Sequence, residues 1–315
     1  MMKNKLEGIV PPLVTPLLND NTLDVEGLER LVEHVIAGGV HGIFILGTTG
    51  EAQSIGFDLR VEMIRQTSGF LKGRLPLLVG ISDTSLSDSL RLSQKASEFG
   101  ADAVVSAPPY YFATGQPELA EYYERLILQL ELPLFLYNMP AHTKVSFSVE
   151  TIKRLAQNPK VIGFKDSSAN GSYFQSVMYA MRDRSDFSIF VGPEEMTAEA
   201  VMMGASGGVN GGANLFPKLY VDLYHAAKAM NRDKVNQLQQ KVMQICETIY
   251  SNGKYGSSYI KGLKSALSVV GICSDVLASP FCKFDMEHKE LIKKAIEKIG
   301  QGVNTYSVVS GNSNQ

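Results

Sequence analysis

The chain has 315 residues, with 30 lysines and arginines against 32 aspartates and glutamates and no long run of one sign, so neither nucleic acid nor an anionic membrane is expected as a partner. Its three cysteines, Cys246, Cys273 and Cys282, form no Cys-x-x-Cys pair, and its five histidines share no metal-ligand spacing, which leaves reduced thiols and no metal centre as the expectation. No window approaches the ~20 apolar residues that span a bilayer, and Met1 to Glu7 lead into no signal-like apolar stretch, so a cytoplasmic location is expected.

Short apolar runs recur along the chain with helical patterns between them. The runs are Gly8 to Val14, His41 to Leu46, Leu75 to Val79, Ala101 to Val105, Leu132 to Tyr137, Val161 to Phe164, Phe187 to Val191 and the weaker Gly207 to Val209. Between the first two, Val25, Leu28, Leu31, Val32, Val35 and Ile36 share one helical face and Gly38-Gly39 stops it. Similar patterns cover Phe57 to Leu71, Leu86 to Phe99, Pro117 to Leu130, Val149 to Ala156, Tyr173 to Met181, Glu194 to Met203 and Leu215 to Met230. Strand then helix, eight times, predicts an α/β chain folded as a (β/α)8 TIM barrel over residues 1–230. An open doubly wound sheet fits less well, because no Gly-x-Gly-x-x-Gly turn follows the first strand. Helical patterns at Val235 to Tyr250, Tyr259 to Val270 and Glu287 to Ile299 predict a helical C-terminal extension over 231–300. The Ser-, Asn- and Gly-rich residues 301–315 are expected to be a disordered tail.

Such a barrel carries its chemistry at the carboxyl ends of its strands. Strand six ends in Lys165, an expensive place for a charge, since desolvation favours the neutral amine that attacks a ketone. Strand five ends in Tyr137, whose phenol is either satisfied by a carbonyl or acts as a proton relay beside Lys165. Strand two ends in Gly47-Thr48-Thr49-Gly50-Glu51, which reads as a tight turn with hydroxyl caps or as a cradle for a small carboxylate. Tyr110-Tyr111 after strand four is aromatic packing or an interface knob, and Glu194-Glu195 after strand seven lacks the histidine partner of a metal site.

Gly47-Thr48-Thr49-Gly50-Glu51, Pro109-Tyr110-Tyr111, Leu136-Tyr137-Asn138-Met139-Pro140 and Gly163-Phe164-Lys165-Asp166 stand in the order and spacing of the dihydrodipicolinate synthase and N-acetylneuraminate lyase family, which the chain resembles over about residues 6–300. The resemblance implies a pyruvate-dependent class I aldolase, built as a homotetramer or homodimer, with no cofactor beyond a covalent imine on Lys165. It implies Tyr137 as the proton relay, Thr48 linking it to Tyr111 from a neighbouring subunit, Thr49 holding the pyruvate carboxylate, and Gly192 and Val209 bordering the lysine through their carbonyls. The small-molecule partners are then pyruvate or another 2-oxo acid and an aldehyde.

Departures from the family pattern bear on the aldehyde. His142 stands where the lysine-pathway synthases carry an arginine for the second substrate's carboxylate, and a histidine cannot make the two-pronged guanidinium contact. Lys144 is a candidate substitute charge. Ala52, Phe57, Arg60 and Thr84 replace the serine, two histidines and asparagine of the family's lysine-feedback pocket. Glu194 resembles one of the acidic pair that binds the glycerol tail in sialic acid lyases, but Gly211 replaces a serine there. Lys165-Asp166-Ser167-Ser168 is more similar to aldolases acting on 2-oxo-3-deoxy sugar acids or hydroxy-oxo acids. That substrate class is the expectation, with dihydrodipicolinate synthesis, sialic acid cleavage and a non-catalytic 2-oxo-acid-binding barrel as alternatives.

Overall fold

The computed structural model describes residues 5–300; the expected tail, 301–315, lies outside them. Eight parallel strands form one sheet: β1 (Gly8–Ile9), β2 (Ile43–Ile45), β3 (Leu77–Gly80), β4 (Ala103–Ser106), β5 (Leu134–Asn138), β6 (Val161–Asp166), β7 (Ser188–Val191) and β8 (Gly207–Gly208). They pair in sequence order from β2 to β8, and β8 pairs with β1. The sheet curls until its two edges meet just beyond β1, where Pro12 bridges Phe44. There the Phe44 amide donates to the Pro11 carbonyl at 3.1 Å and the Leu13 amide to the Phe44 carbonyl at 2.8 Å. The expected first strand, Gly8 to Val14, is therefore interrupted, because Pro11 and Pro12 bring no N–H to the ladder. A two-stranded hairpin, Leu17–Asn19 with Thr22–Leu23, follows it.

Helices α1 (Val25–Ala37), α2 (Phe57–Leu71), α3 (Leu86–Glu98), α4 (Gln116–Gln129), α5 (Val149–Leu155), α6 (Gly171–Ala180), α7 (Thr197–Met202) and α8 (Pro217–Lys228) connect successive strands and follow the last. Their first turns are fixed by side-chain caps where the sequence supplies them: Asp24, Ser85, Ser148 and Asn170 each accept an amide from the turn they precede. Leu28, Leu31, Val32 and Val35 of α1 are fully buried, as their spacing predicts, and belong to a core between strands and helices. A second core fills the interior of the curled sheet with Val10, Phe44, Leu78, Val105, Phe135, Tyr137 and Phe190. An unforeseen single turn, Pro140–Thr143, follows β5 and carries His142.

Three further helices close the described chain, α9 (Arg232–Ile245), α10 (Ser258–Val269) and α11 (Met286–Gly300). Among the described residues no helix is long and apolar enough to cross a membrane. At the end of α9 the backbone widens over Cys246–Tyr250, and the Ser251 amide reaches back five residues to the Cys246 carbonyl at 3.2 Å.

A buried ion pair ties α10 to the loop after β2. Lys264 is fully buried, donates to the Val276 carbonyl at 2.7 Å and pairs with Glu51, which also accepts the Ala278 amide at 2.9 Å. Burial pushes the Lys264 ammonium below its ordinary range while Glu51 opposes the shift. Removing one partner strands a charge in the core. Lys264→Met is therefore expected to lower unfolding free energy by about 3–5 kcal/mol in urea titrations. The double variant with Glu51→Gln should recover most of that loss.

Candidate active site

In-register pairing of β5 with β6 sets Tyr137 opposite Lys165. Neighbouring residues of parallel strands at one level point to the same face, here the inside of the sheet, while Asp166 takes the other side. Asp166 accepts from the Asn138 side chain at 2.8 Å and from the Ser168 amide and hydroxyl at 3.1 and 2.8 Å. Lys165 is 7% exposed, its Nζ 4.1 Å from the centre of the Tyr137 ring and 5.2 Å from that of Phe44. Phe44 meets Tyr137 edge to face at 6.5 Å. The amine is thus walled by two aromatic rings, and both rings also line a cavity of about 370 Å³, together with Thr48, His142 and Tyr259 among others.

The loop after β2 divides its two hydroxyls between separate partners. Thr48 Oγ1 stands 3.2 Å from the Tyr137 hydroxyl, and Thr49 Oγ1 stands 3.0 Å from the hydroxyl of Tyr259. Left-handed backbone at Leu46 (φ 58°) and Glu51 (φ 54°) brackets this loop, an uncommon conformation for residues with side chains. The Thr15 hydroxyl donates to the Gly50 carbonyl at 2.6 Å and the Glu51–Lys264 pair holds the far end.

The other expected residues are placed as follows. Gly192 donates its amide to the Asp166 carbonyl at 2.7 Å, and Val209, 5% exposed, donates to the Val191 carbonyl at 2.9 Å; both lie at the same end of the sheet as Lys165. His142 stands at the cavity rim, where loss of hydration and then Lys144 push its imidazole below the ordinary value, toward the neutral form. Tyr111 is 85% exposed at a left-handed φ of 85° and packs edge to face on Phe112 at 5.1 Å. Within one chain it is not brought to Thr48, which shares its hydroxyl with Tyr137. Among the described residues no three His, Cys, Asp or Glu side chains converge as a metal site would.

Glu194 is built into the protein rather than offered to the cavity. It is 5% exposed, and its carboxylate accepts from the Gly212 amide at 2.7 Å, from Tyr250 at 3.0 and 3.2 Å, and from Tyr220. Reasoning from the sequence missed these tyrosines, Tyr259 and Lys264, because each arrives from a helix beyond the eighth strand. The one signal was Gly211-Gly212: a Cβ on Gly211 would stand 1.8 Å from the Tyr259 oxygen, and one on Gly212 would stand 2.0 Å from that of Tyr220.

Burial, opposed by those donors, raises the Glu194 carboxyl from 4.5 to about 7. A raised carboxyl binds a proton on folding, so its stabilising contribution is complete below about pH 4.5 and is lost as the pH rises through 7. Relative to Glu194→Gln, the unaltered protein is expected to lose on the order of 3 kcal/mol of unfolding free energy across that window. Urea unfolding at several pH values checks this; parallel profiles for the two proteins would contradict it.

Known proteins share this architecture. The dihydrodipicolinate synthetase family matches residues 5–299. The solved dihydrodipicolinate synthase from Bacteroides thetaiotaomicron is similar at 65% identity and a TM-score of 0.92, covering 94% of this chain and 100% of its own. A prophage protein of the dihydrodipicolinic acid synthase family from Escherichia coli K12, solved in complex with pyruvate, is 26% identical with a TM-score of 0.88, covering 93% of this chain and 98% of its own. A probable 2-dehydro-3-deoxy-D-pentonate aldolase of Escherichia coli K12 is 28% identical over 278 residues, 88% of this chain and 91% of that protein. With the match running over nearly its whole length, the chain belongs to the dihydrodipicolinate synthetase family.

Proposed function

We propose that the chain is a class I aldolase or lyase, working without metal or organic cofactor, that makes or breaks a carbon–carbon bond between pyruvate and an aldehyde. The observation that carries this reading is the placement of Lys165 Nζ, 4.1 Å from the Tyr137 ring, beside a hydrogen-bonded Tyr137–Thr48 pair. The relative solved with pyruvate supports the same 2-oxo acid.

In cleavage the neutral Lys165 amine adds to C2 of a 2-oxo-4-hydroxy acid, and the carbinolamine hydroxyl takes a proton from solvent and leaves as water to give an iminium. The Tyr137 oxygen takes the proton of the C4 hydroxyl as it hands its own proton on to Thr48, 3.2 Å away. The C3–C4 bond then breaks, its electron pair enters the C2–C3 bond, and the iminium becomes a neutral enamine as the aldehyde departs. The enamine takes a proton at C3, and water hydrolyses the imine to pyruvate and free amine. Tyr137 exchanges its proton through Thr48 with Tyr111 of the partner subunit in a homodimer or homotetramer, which gives the exposed Tyr111 ring a place. Thr49 holds the pyruvate carboxylate, and the Gly192 and Val209 carbonyls border Lys165.

The aldehyde in this reading is an uncharged polyhydroxy compound, so the substrate is a 2-oxo-3-deoxy sugar acid or a hydroxy-oxo acid. Gln53, Ser54, Ser82, Thr143 and Ser257 line the cavity, and no arginine or lysine is among its lining residues. A carboxylate-bearing aldehyde would need a fixed cation there. With Glu194 enclosed by its tyrosines, cleavage of sialic acid loses its tail-binding group. Dihydrodipicolinate synthesis is kept as a second reading on the name of the Bacteroides thetaiotaomicron relative.

Borohydride reduction in the presence of pyruvate is expected to leave one covalent adduct, mapped by peptide mass to Lys165 and absent from Lys165→Ala. Tyr137→Phe should form the adduct yet cleave its substrate about a hundredfold more slowly or worse. A panel of 2-oxo-3-deoxy sugar acids should yield pyruvate. Efficient condensation of pyruvate with aspartate semialdehyde would favour the second reading, and pyruvate binding with no turnover anywhere would make the chain a binding protein.

A further inference from the structure

The geometry points to Tyr259 as a direct ligand of the 2-oxo acid's carboxylate, acting with Thr49 as a two-hydroxyl clamp beside the cavity that Tyr137 also lines. This rests on the reading of Thr49 as the carboxylate seat. Three observations lead to it.

The first is position. Tyr259, near the start of α10, lines the cavity, as does Thr48, the chain neighbour of Thr49, and Thr49 itself is 5% exposed. An anion seated on the Thr49 hydroxyl therefore stands beside the Tyr259 hydroxyl, 3.0 Å from it. The second is hydrogen-bond arithmetic. Thr49 Oγ1 and the Tyr259 oxygen stand 3.0 Å apart, and together they carry two protons. Their mutual bond uses one proton and leaves the other without a task. A carboxylate offers two oxygens, so turning both hydroxyls onto it replaces one neutral bond by two charge-assisted ones. The phenol keeps its proton for this purpose, since burial and then Glu194 push it far above its ordinary range.

The third is the way the ring is held. Tyr259 packs edge to face on Tyr250 at 4.7 Å, and Tyr250 is tethered to Glu194. The Tyr259 oxygen fills the volume a Cβ on residue 211 would need, at 1.8 Å from that point. The hydroxyl is fixed by these neighbours and bonds to no protein group except Thr49 among the described residues. Such an oxygen is preorganised at no cost in ligand reorganisation.

Tyr259→Phe tests the assignment because it keeps the ring on Tyr250 and deletes one oxygen. The pyruvate concentration that half-saturates borohydride trapping on Lys165, and the pyruvate dissociation constant by calorimetry, should each rise about tenfold. The adduct yield at saturation and kcat for cleavage should stay within about threefold of the unaltered enzyme. Methyl pyruvate, which lacks the negative charge, should show no comparable rise. Wild-type pyruvate constants in Tyr259→Phe overturn the assignment, and so does an equal rise for methyl pyruvate, which marks the oxygen as structural. If the unaltered protein forms no adduct, the imine reading of Lys165 fails. The calorimetric comparison of the two pyruvate constants then still decides Tyr259.

Discussion

The register between β5 and β6 is the constraint on which the site depends. Lys165 and Tyr137 meet because two parallel strands pair without offset at that level, and a slip of one residue would send both side chains to the outer face. The same ladder places Phe190 of β7 beside Lys165 and Asp166 on the helix side, where the Asn138 amide and Ser168 hold it. An amine among aromatic rings is tolerable only inside a sheet curled tightly enough to shelter it. The closure at Pro12 and Phe44 supplies that shelter and brings Phe44 to within 5.2 Å of Nζ.

Part of the cavity wall comes after the eighth strand, from Tyr259 and Ile260 of α10 and from Gly256 and Ser257 just before it. Lys264 anchors α10 against Glu51 at the end of the threonine loop, so the helix carrying Tyr259 and the loop carrying Thr48 and Thr49 share one buried electrostatic tie. Buried pairs of this kind contribute little net stability but penalise any alternative arrangement of the partners. The widened turn at Cys246–Tyr250 is the companion device, because it ends at the tyrosine that reaches Glu194. Of the three C-terminal helices, α10 therefore supplies cavity lining as well as packing.

Much of this was legible in the sequence, and the parts that were not share a cause. The alternation of apolar runs with helical periods exposed the eight strands, since strands buried on both faces must be apolar throughout. Lys165, Tyr137, Thr48 and Thr49 could be found because each stands at a strand end, a position the sequence marks. Glu194 occupies the same kind of position, yet its carboxylate is sequestered by Tyr220 and Tyr250, 26 and 56 residues away in the chain. No periodicity encodes a contact between such distant segments. For the same reason Tyr259 read only as the start of a helix, and Tyr111 read as packing or interface without any indication of its exposure.

The absence of a side chain at Gly211 couples two positions that lie on different elements. With the Tyr259 oxygen 1.8 Å from where a Cβ would stand, any larger residue at 211 requires a shorter one at 259. The dependence runs one way: glycine at 211 admits a phenol or a shorter side chain at 259, whereas a side chain at 211 requires an empty place opposite. Across relatives of this protein, a larger residue at 211 should be accompanied by a shorter one at 259, and variants that enlarge 211 alone should be rare among folded, active enzymes.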